Sequence, residues 1–194
     1  MLNENEMEKY NRQIIIPNLG LEGQMKLKNG KVLVIGLGGL GSGALFYLVS
    51  AGVGHIGILD KDKVELSNLN RQILYSEYDV SKLKTSSAYD KLSKLNSDIR
   101  IQEHTISLTS DNIEDIIRRY DFVIEASDNF ETKFLVNDIC VKLMVPFVIG
   151  GVFQYEGQLM TVIPGETPCY RCVFKEIPEP GTYPTTSEEG VMGT

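Results

Sequence analysis

Apolar positions along this chain switch between two periods. Residues 32–36 form a continuous apolar run ending in glycine, the pattern of a buried strand, and residues 41–51 follow as a helix. Residues 55–60 read as another strand. Residues 82–95 carry Leu83, Leu92 and Leu95 at about helical spacing, and residues 99–105 alternate like a strand. Within 111–120, Ile113, Ile116 and Ile117 stand at i, i+3 and i+4, which predicts a helix. Residues 122–126 have the character of a buried strand and 130–144 of a helix. Residues 146–151 and 158–163 read as strands around Gln154-Tyr155-Glu156-Gly157, a candidate hairpin loop. Ahead of this alternation, residues 4–16 predict an amphipathic helix ended by Pro17, and 19–27 a second helical piece. Gly, Pro, Thr and Glu dominate 178–190, which reads as a loop.

Repeated strand–helix units imply an α/β protein. The expected architecture is a Rossmann-like, doubly wound, mostly parallel sheet with helices on both faces, preceded by N-terminal helices. Ligands in such sheets sit beyond the carboxyl ends of the strands, so functional residues are expected just after strands. Composition narrows the classes. A chain of 194 residues with 42% hydrophobic residues suits one folded domain with a sizeable core. The net charge of −7 argues against general nucleic-acid binding, which relies on a basic surface. No apolar stretch is long enough to span a bilayer, and the acidic start is unlike a signal peptide, so a cytoplasmic location is expected. Three cysteines are too few for a disulfide framework and fit a reducing compartment.

Chemistry enters with Gly36-x-Gly38-x-x-Gly41 between a strand and a helix. Glycines there let backbone approach a phosphate, and unpaired helix amides favour its charge. Asp60 ends the next strand 24 positions after Gly36, where an acid that binds a ribose is expected. Taken alone, this suggests a nicotinamide enzyme. The following loop argues otherwise, because hydride transfer has no need of Asp62, Ser67, Asn68, Asn70, Arg71 and Gln72 together. A triphosphate with a metal does. Arg71 offers a planar fork to phosphate, and Lys84, opening the next helix, offers a point charge. Lys82 would point elsewhere, to the surface. After the strand 122–126, Asp128 could hold Mg²⁺ through oxygen or could cap the next helix; beside Arg71 and Lys84 the metal is favoured.

With these residues the chain resembles the ThiF/MoeB/HesA family, adenylyltransferases that activate ubiquitin-like proteins. The resemblance runs through Tyr10-Asn11-Arg12-Gln13-Ile14, the glycine run, Ser50-Ala51-Gly52-Val53-Gly54, 60–72, Lys84, Asp128-Asn129, Gly157-Gln158 and Pro168-Cys169-Tyr170-Arg171-Cys172, and bacterial sulfur-carrier activators look most similar. It implies that ATP·Mg²⁺ and the C-terminal glycine carboxylate of a small ubiquitin-like carrier protein, or a peptide, give an acyl adenylate and pyrophosphate. It further implies that Gly36, Gly38, Gly39, Gly41, Asp60, Asp62, Ser67–Gln72, Lys84, Asp128 and Asn129 bind the nucleotide. Arg71, Lys84, Asp128 and Arg12 would be catalytic, with Asp128 on the metal and Arg12 serving the other subunit of a homodimer. The expected division is an N-terminal helical segment (1–29), an adenylation domain (30–165) and a cysteine-pair and crossover segment (166–194).

Cys169-x-x-Cys172 is half of a tetrahedral Zn²⁺ site, whose other half the family carries further along; a redox disulfide is the other reading. Cys140, in a helix pattern, is expected in the core. Thr186 stands where many sulfur-carrier activators have a cysteine, and Ser187 follows, which leaves adenylation untouched but removes the usual thioester or persulfide link. The family pattern continues past residue 194, so the chain is expected to be a fragment or a truncated relative. The competing functions are an NAD-dependent oxidoreductase, a non-catalytic ATP-binding member, and a tRNA-modifying relative, which the acidic charge disfavours.

Overall fold

The computed structural model describes residues 1–179, 182 and 186–193. Three helices come first, α1 (Glu4–Lys9), α2 (Asn11–Ile14) and α3 (Gly20–Asn29). The predicted helix over 4–16 is broken at Tyr10. Its ring is buried and its hydroxyl accepts from Asn96 Nδ2 at 2.8 Å, so the chain turns to seat it. Then come β1 (Lys31–Ile35), α4 (Gly39–Ser50), β2 (His55–Leu59), α5 (Lys84–Leu95), β3 (Arg100–His104), α6 (Ile113–Ile117), β4 (Phe122–Glu125), α7 (Phe130–Leu143), β5 (Phe147–Phe153), β6 (Glu156–Val162), α8 (Tyr170–Val173) and α9 (Thr186–Glu189). The other predicted strands and helices are present, with ends shifted by a few residues, and the short α9 falls within 178–190, which composition alone read as a loop. The largest trims are at α6, and the hairpin loop shrinks to Gln154-Tyr155.

One six-stranded sheet runs β3-β2-β1-β4-β5-β6. The first four neighbouring pairs are parallel and β5–β6 is antiparallel. The pleat sends alternate residues of β1 to opposite faces. Leu33 and Ile35 pack with α6 and α7 through Ile113, Ile117 and Phe134. Val34 packs on the other face with Leu45 and Val49 of α4 and Leu92 of α5. Helices therefore cover both faces, as expected of a doubly wound sheet. Cys140 lies in the first of these cores, fully buried, and burial pushes its thiol up to about 12.

The chain leaves β1 toward β2 and β3 on one side, then crosses to β4 on the other. The loops after β1 and β4 consequently diverge at one point, the position where a crevice opens in such sheets.

Candidate functional site

At that point the two loops touch. Gly36 has φ +86°, and a Cβ on it would lie 2.7 Å from the Ser127 backbone nitrogen. A Cβ on Gly41 would overlap the Gly36 carbonyl, so α4 packs hard under the loop. Between them, Leu37 is held from both sides. Its N–H donates to Asp60 Oδ2 at 2.9 Å, and its carbonyl accepts from the buried Tyr75 hydroxyl at 2.9 Å. Gly38 caps α4 with no side-chain partner for the helix amides among the described residues. Gly38 and Gly39 line the cleft, and their Cβ positions are open to beyond 3.5 Å, the nearest atom being Arg71 O at 3.6 Å. The result is a rigid, positive helix end facing an open cleft.

The loop after β2 supplies charge. Asp60 Oδ1 accepts from Asp62 N at 2.9 Å, so both carboxylate oxygens of Asp60 are engaged by backbone. Lys84 opens α5 with its side chain 10% exposed. Its Nζ lies 3.8 Å from Asp60 and 3.6 Å from Asp62. Those distances are Coulombic contacts rather than hydrogen bonds, which leaves the ammonium's donors free to turn. Lys82 is well exposed, beside Asp79. Further along, Asn68 is buried, and its Oδ1 accepts from Glu65 N at 3.1 Å, closing the turn Leu66–Asn68. Ser67 Oγ donates to Glu65, and Arg71 Nη1 donates to Ser67 O and Asn70 Oδ1. Arg71 and Gln72 line the cleft; Ser67, Asn68 and Asn70 build the loop that presents them. Gln72 is buried, and its Oε1 has no partner among the described residues.

The loop after β4 completes one wall. Asp128 is exposed on the cleft and its carboxylate has no hydrogen bond among the described residues. The capping role weighed for it belongs to its neighbour: Asn129 Oδ1 accepts from Thr132 N at 2.8 Å at the start of α7. The cleft measures about 1550 Å³ and runs from these residues along Leu40, Leu159 and Met160 toward Tyr170 and Val173 of α8. Val191 and Met192 also line it; Met192 N donates to Gln154 O at 2.9 Å, tying this segment to the β5–β6 turn. An unengaged, accessible carboxylate beside open helix amides suits an oxygen-ligated Mg²⁺ carried by a polyphosphate.

Three predicted residues, Arg12, Cys169 and Cys172, fall elsewhere. Arg12 is exposed on α2 and does not line the cleft of its own chain. Cys169 and Cys172 face each other at the start of α8, Sγ to Sγ 3.6 Å, as free thiols. Burial raises Cys169, but N–H groups of Cys172 and Arg171 and the Asn137 side chain outweigh it and lower the thiol. No cluster of three or more His, Cys, Asp or Glu able to hold a metal occurs among the described residues, so the pair provides only half of a zinc shell. Thr186 opens α9, and its side chain lies outside the described residues.

Sequence reasoning missed a buried ion pair beneath the site. Lys133 Nζ donates to Glu125 Oε2 at 2.6 Å, and burial pushes the Glu125 carboxyl up against that pairing. The only signal was a carboxylate closing an otherwise apolar strand. Tyr75 gave no signal at all.

A family model, the ThiF family, matches residues 10–194. The chain belongs to the ThiF family. Among ThiF relatives it is 50% identical over 192 residues to the adenylyltransferase and sulfurtransferase MOCS3 of Culex quinquefasciatus, which covers 99% of this chain and 44% of that protein. It is 46% identical to a sulfur carrier protein adenylyltransferase of Thermus thermophilus, covering 97% of this chain and 71% of that protein. The crystal structure of E. coli MccB with ATP superposes with a TM-score of 0.72 at 34% identity, over 77% of this chain and 45% of that one. The chain thus spans less than half the length of the MOCS3 relative and of MccB.

Proposed function

We propose that this ThiF-family chain adenylates the C-terminal carboxylate of a small ubiquitin-like sulfur carrier, using ATP. The observation that carries the reading is the convergence of open glycine-loop amides, Arg71, Lys84 and Asp128 on one cleft at the strand crossover. The relative named as a sulfur carrier protein adenylyltransferase is 46% identical and the adenylyltransferase and sulfurtransferase 50%, against 34% for MccB, which favours a carrier protein over a peptide such as MccA.

The chemistry follows from charge. The carrier's carboxylate attacks the α-phosphorus, the α–β phosphoanhydride bond breaks, and pyrophosphate leaves as the acyl adenylate forms. Two anions must meet, so the chain must orient them and neutralise what develops. The α4 amides and Gly38–Gly39 cradle phosphate. Lys84, turned from Asp60 and Asp62, and the Arg71 fork take up charge on the oxygens. Asp128 would hold Mg²⁺, which would supply further charge neutralisation at the phosphates. Asp60 fixes the glycine loop and faces the nucleotide's ribose end. The exposed apolar residues Leu40, Leu159 and Val173 give an extended carrier tail a surface to lie on.

A homodimer is part of this reading. Ile15 and Ile16 just after α2, Leu21 on α3 and Tyr47 on α4 are all exposed, which supports an apolar contact face. Arg12, outside its own cleft, would then serve the neighbouring one.

ATP–pyrophosphate exchange tests the proposal. Exchange should appear with a small carrier ending in Gly-Gly and fall when its last glycine is removed. Bound ATP with no exchange for any carrier or peptide would leave a nucleotide-binding scaffold; preference for NAD over ATP would restore the oxidoreductase reading.

A further inference from the structure

The Lys133–Glu125 pair lies in the wall of the cleft; Lys133 touches the cleft but its side chain is only 8% exposed, and its donors are engaged within the fold. A lysine has three N–H donors. Lys133 commits its ammonium to Glu125 Oε2 at 2.6 Å, Ser127 O at 2.6 Å and Gly150 O at 2.7 Å. Glu125 is fully buried, and its other oxygen accepts from Ser127 N at 2.9 Å. Both backbone groups of Ser127 are therefore gripped, the N–H by the acid and the carbonyl by the base. Asp128 is the next residue. The same Ser127 nitrogen sits where a side chain on Gly36 would collide. Gly150, the third anchor, belongs to β5, so the pair also fixes the spacing of β4 and β5 below the loop.

A buried ion pair is seldom a net source of stability; apolar residues of similar volume often serve as well. The geometry points to a different use. We infer that Lys133 and Glu125 are positioning residues that lock the Ser127 peptide, and through it set where the Asp128 carboxylate stands over the cleft. Asp128 has no hydrogen bond of its own among the described residues to do this. The Ser127 peptide held in this way sets the direction in which the Asp128 side chain leaves the backbone. This inference rests on the proposed role of Asp128 toward Mg²⁺.

The expectation is specific to the metal. Lys133→Met should leave ATP affinity without divalent cation within about two-fold of wild type. It should lower the Mg²⁺-dependent gain in ATP affinity about ten-fold, because loosening one ligand's supporting residues weakens metal affinity by about 10–100-fold. Lys133→Arg, which keeps the charge, should recover most of the gain. Calorimetric titration of ATP with and without Mg²⁺, and Mn²⁺ binding followed by electron paramagnetic resonance, read this without turnover; thermal melts report the fold. Where Lys133→Met does not fold, the double variant Glu125→Leu with Lys133→Met removes both charges together and carries the same measurement. A folded variant with wild-type metal dependence overturns the inference. So does an equal loss of affinity with and without metal, which marks a merely structural pair. If the unaltered protein shows no Mg²⁺-dependent gain, the assignment of Asp128 fails instead, and the two failures are told apart by that control.

Discussion

Replacing Lys84 separates the chemistry of this site from its stability. The side chain is 10% exposed, and its neighbour Asp60 is 9% exposed, so the lysine helps hold a mostly buried acid as well as facing the cleft. Removing one positioned donor to transition-state charge typically slows a reaction about 10²–10³-fold, or about 2.7–4 kcal/mol. The structural loss is smaller. At 3.6–3.8 Å neither contact is a hydrogen bond. Asp62 is more than half exposed, so its share is close to nothing. Asp60 keeps its bonds from Leu37 N and Asp62 N, so losing the cation should destabilise by about 1–2 kcal/mol. For a domain of this size that is about 2–8 °C in Tm. Lys84→Met preserves the packed stem and should melt closer to wild type than Lys84→Ala, while both lose exchange activity equally. The assay is ATP–pyrophosphate exchange at saturating ATP, with melts on the same preparations. Exchange within three-fold of wild type in a folded Lys84→Met would refute the charge assignment. Activity that tracks the fraction folded would refute the separation.

Gly41→Ala should abolish ATP binding or the fold itself, because the new Cβ meets the Gly36 carbonyl within the nucleotide loop; a folded variant with near-normal ATP affinity in titration calorimetry would contradict this. Arg12→Ala should lose exchange alone but regain part of it when mixed with Lys84→Ala, since each mixed dimer would hold one intact site; no recovery would return Arg12 to the surface. Acid should destabilise through the histidines. Burial chiefly, then Arg100 and Lys31 against a smaller opposing effect of Asp121, lowers His55; burial, then Arg119 and His55, lowers His104, whose Nε2 shares a 2.8 Å hydrogen bond with Tyr120. Both folded pKa values lie below the unfolded 6.5, so the unfolded chain takes up protons first. Their contribution is complete above that value and is lost as pH falls below it. Tm should thus drop between pH 7.5 and 5.5, and His104→Gln should flatten that slope; an unchanged slope would count against it.

The alternation of apolar runs was enough to place every strand and helix of the doubly wound sheet, since burial on two faces demands near-continuous apolar strands and striped helices. It misjudged the first helix, because Tyr10 is drawn into a hydrogen bond with Asn96, 86 positions away. The site was legible where chemistry is local. Gly36, Asp60 and Asp128 follow strand ends, and Gly41 and Lys84 lie in the first turn of a helix, where motif spacing marks candidates; Arg71 comes from the long loop after β2 and lines the same cleft. Partition of labour within 60–72 was not legible: Asn68 and Asn70 have the chemistry of ligands, yet they close the turn and brace Arg71.

By itself, then, the sequence determined the βα order, the glycine turn and the family. Tertiary structure decided which side chains meet. Lys133 and Glu125 pair across a strand and a helix, Tyr75 reaches back to Leu37, and Asn129 rather than Asp128 takes the helix cap. The physical reason is range. Periodicity and turn chemistry act within a few residues, whereas a buried charge or hydroxyl is satisfied by whichever group the packed sheet brings within about 3 Å.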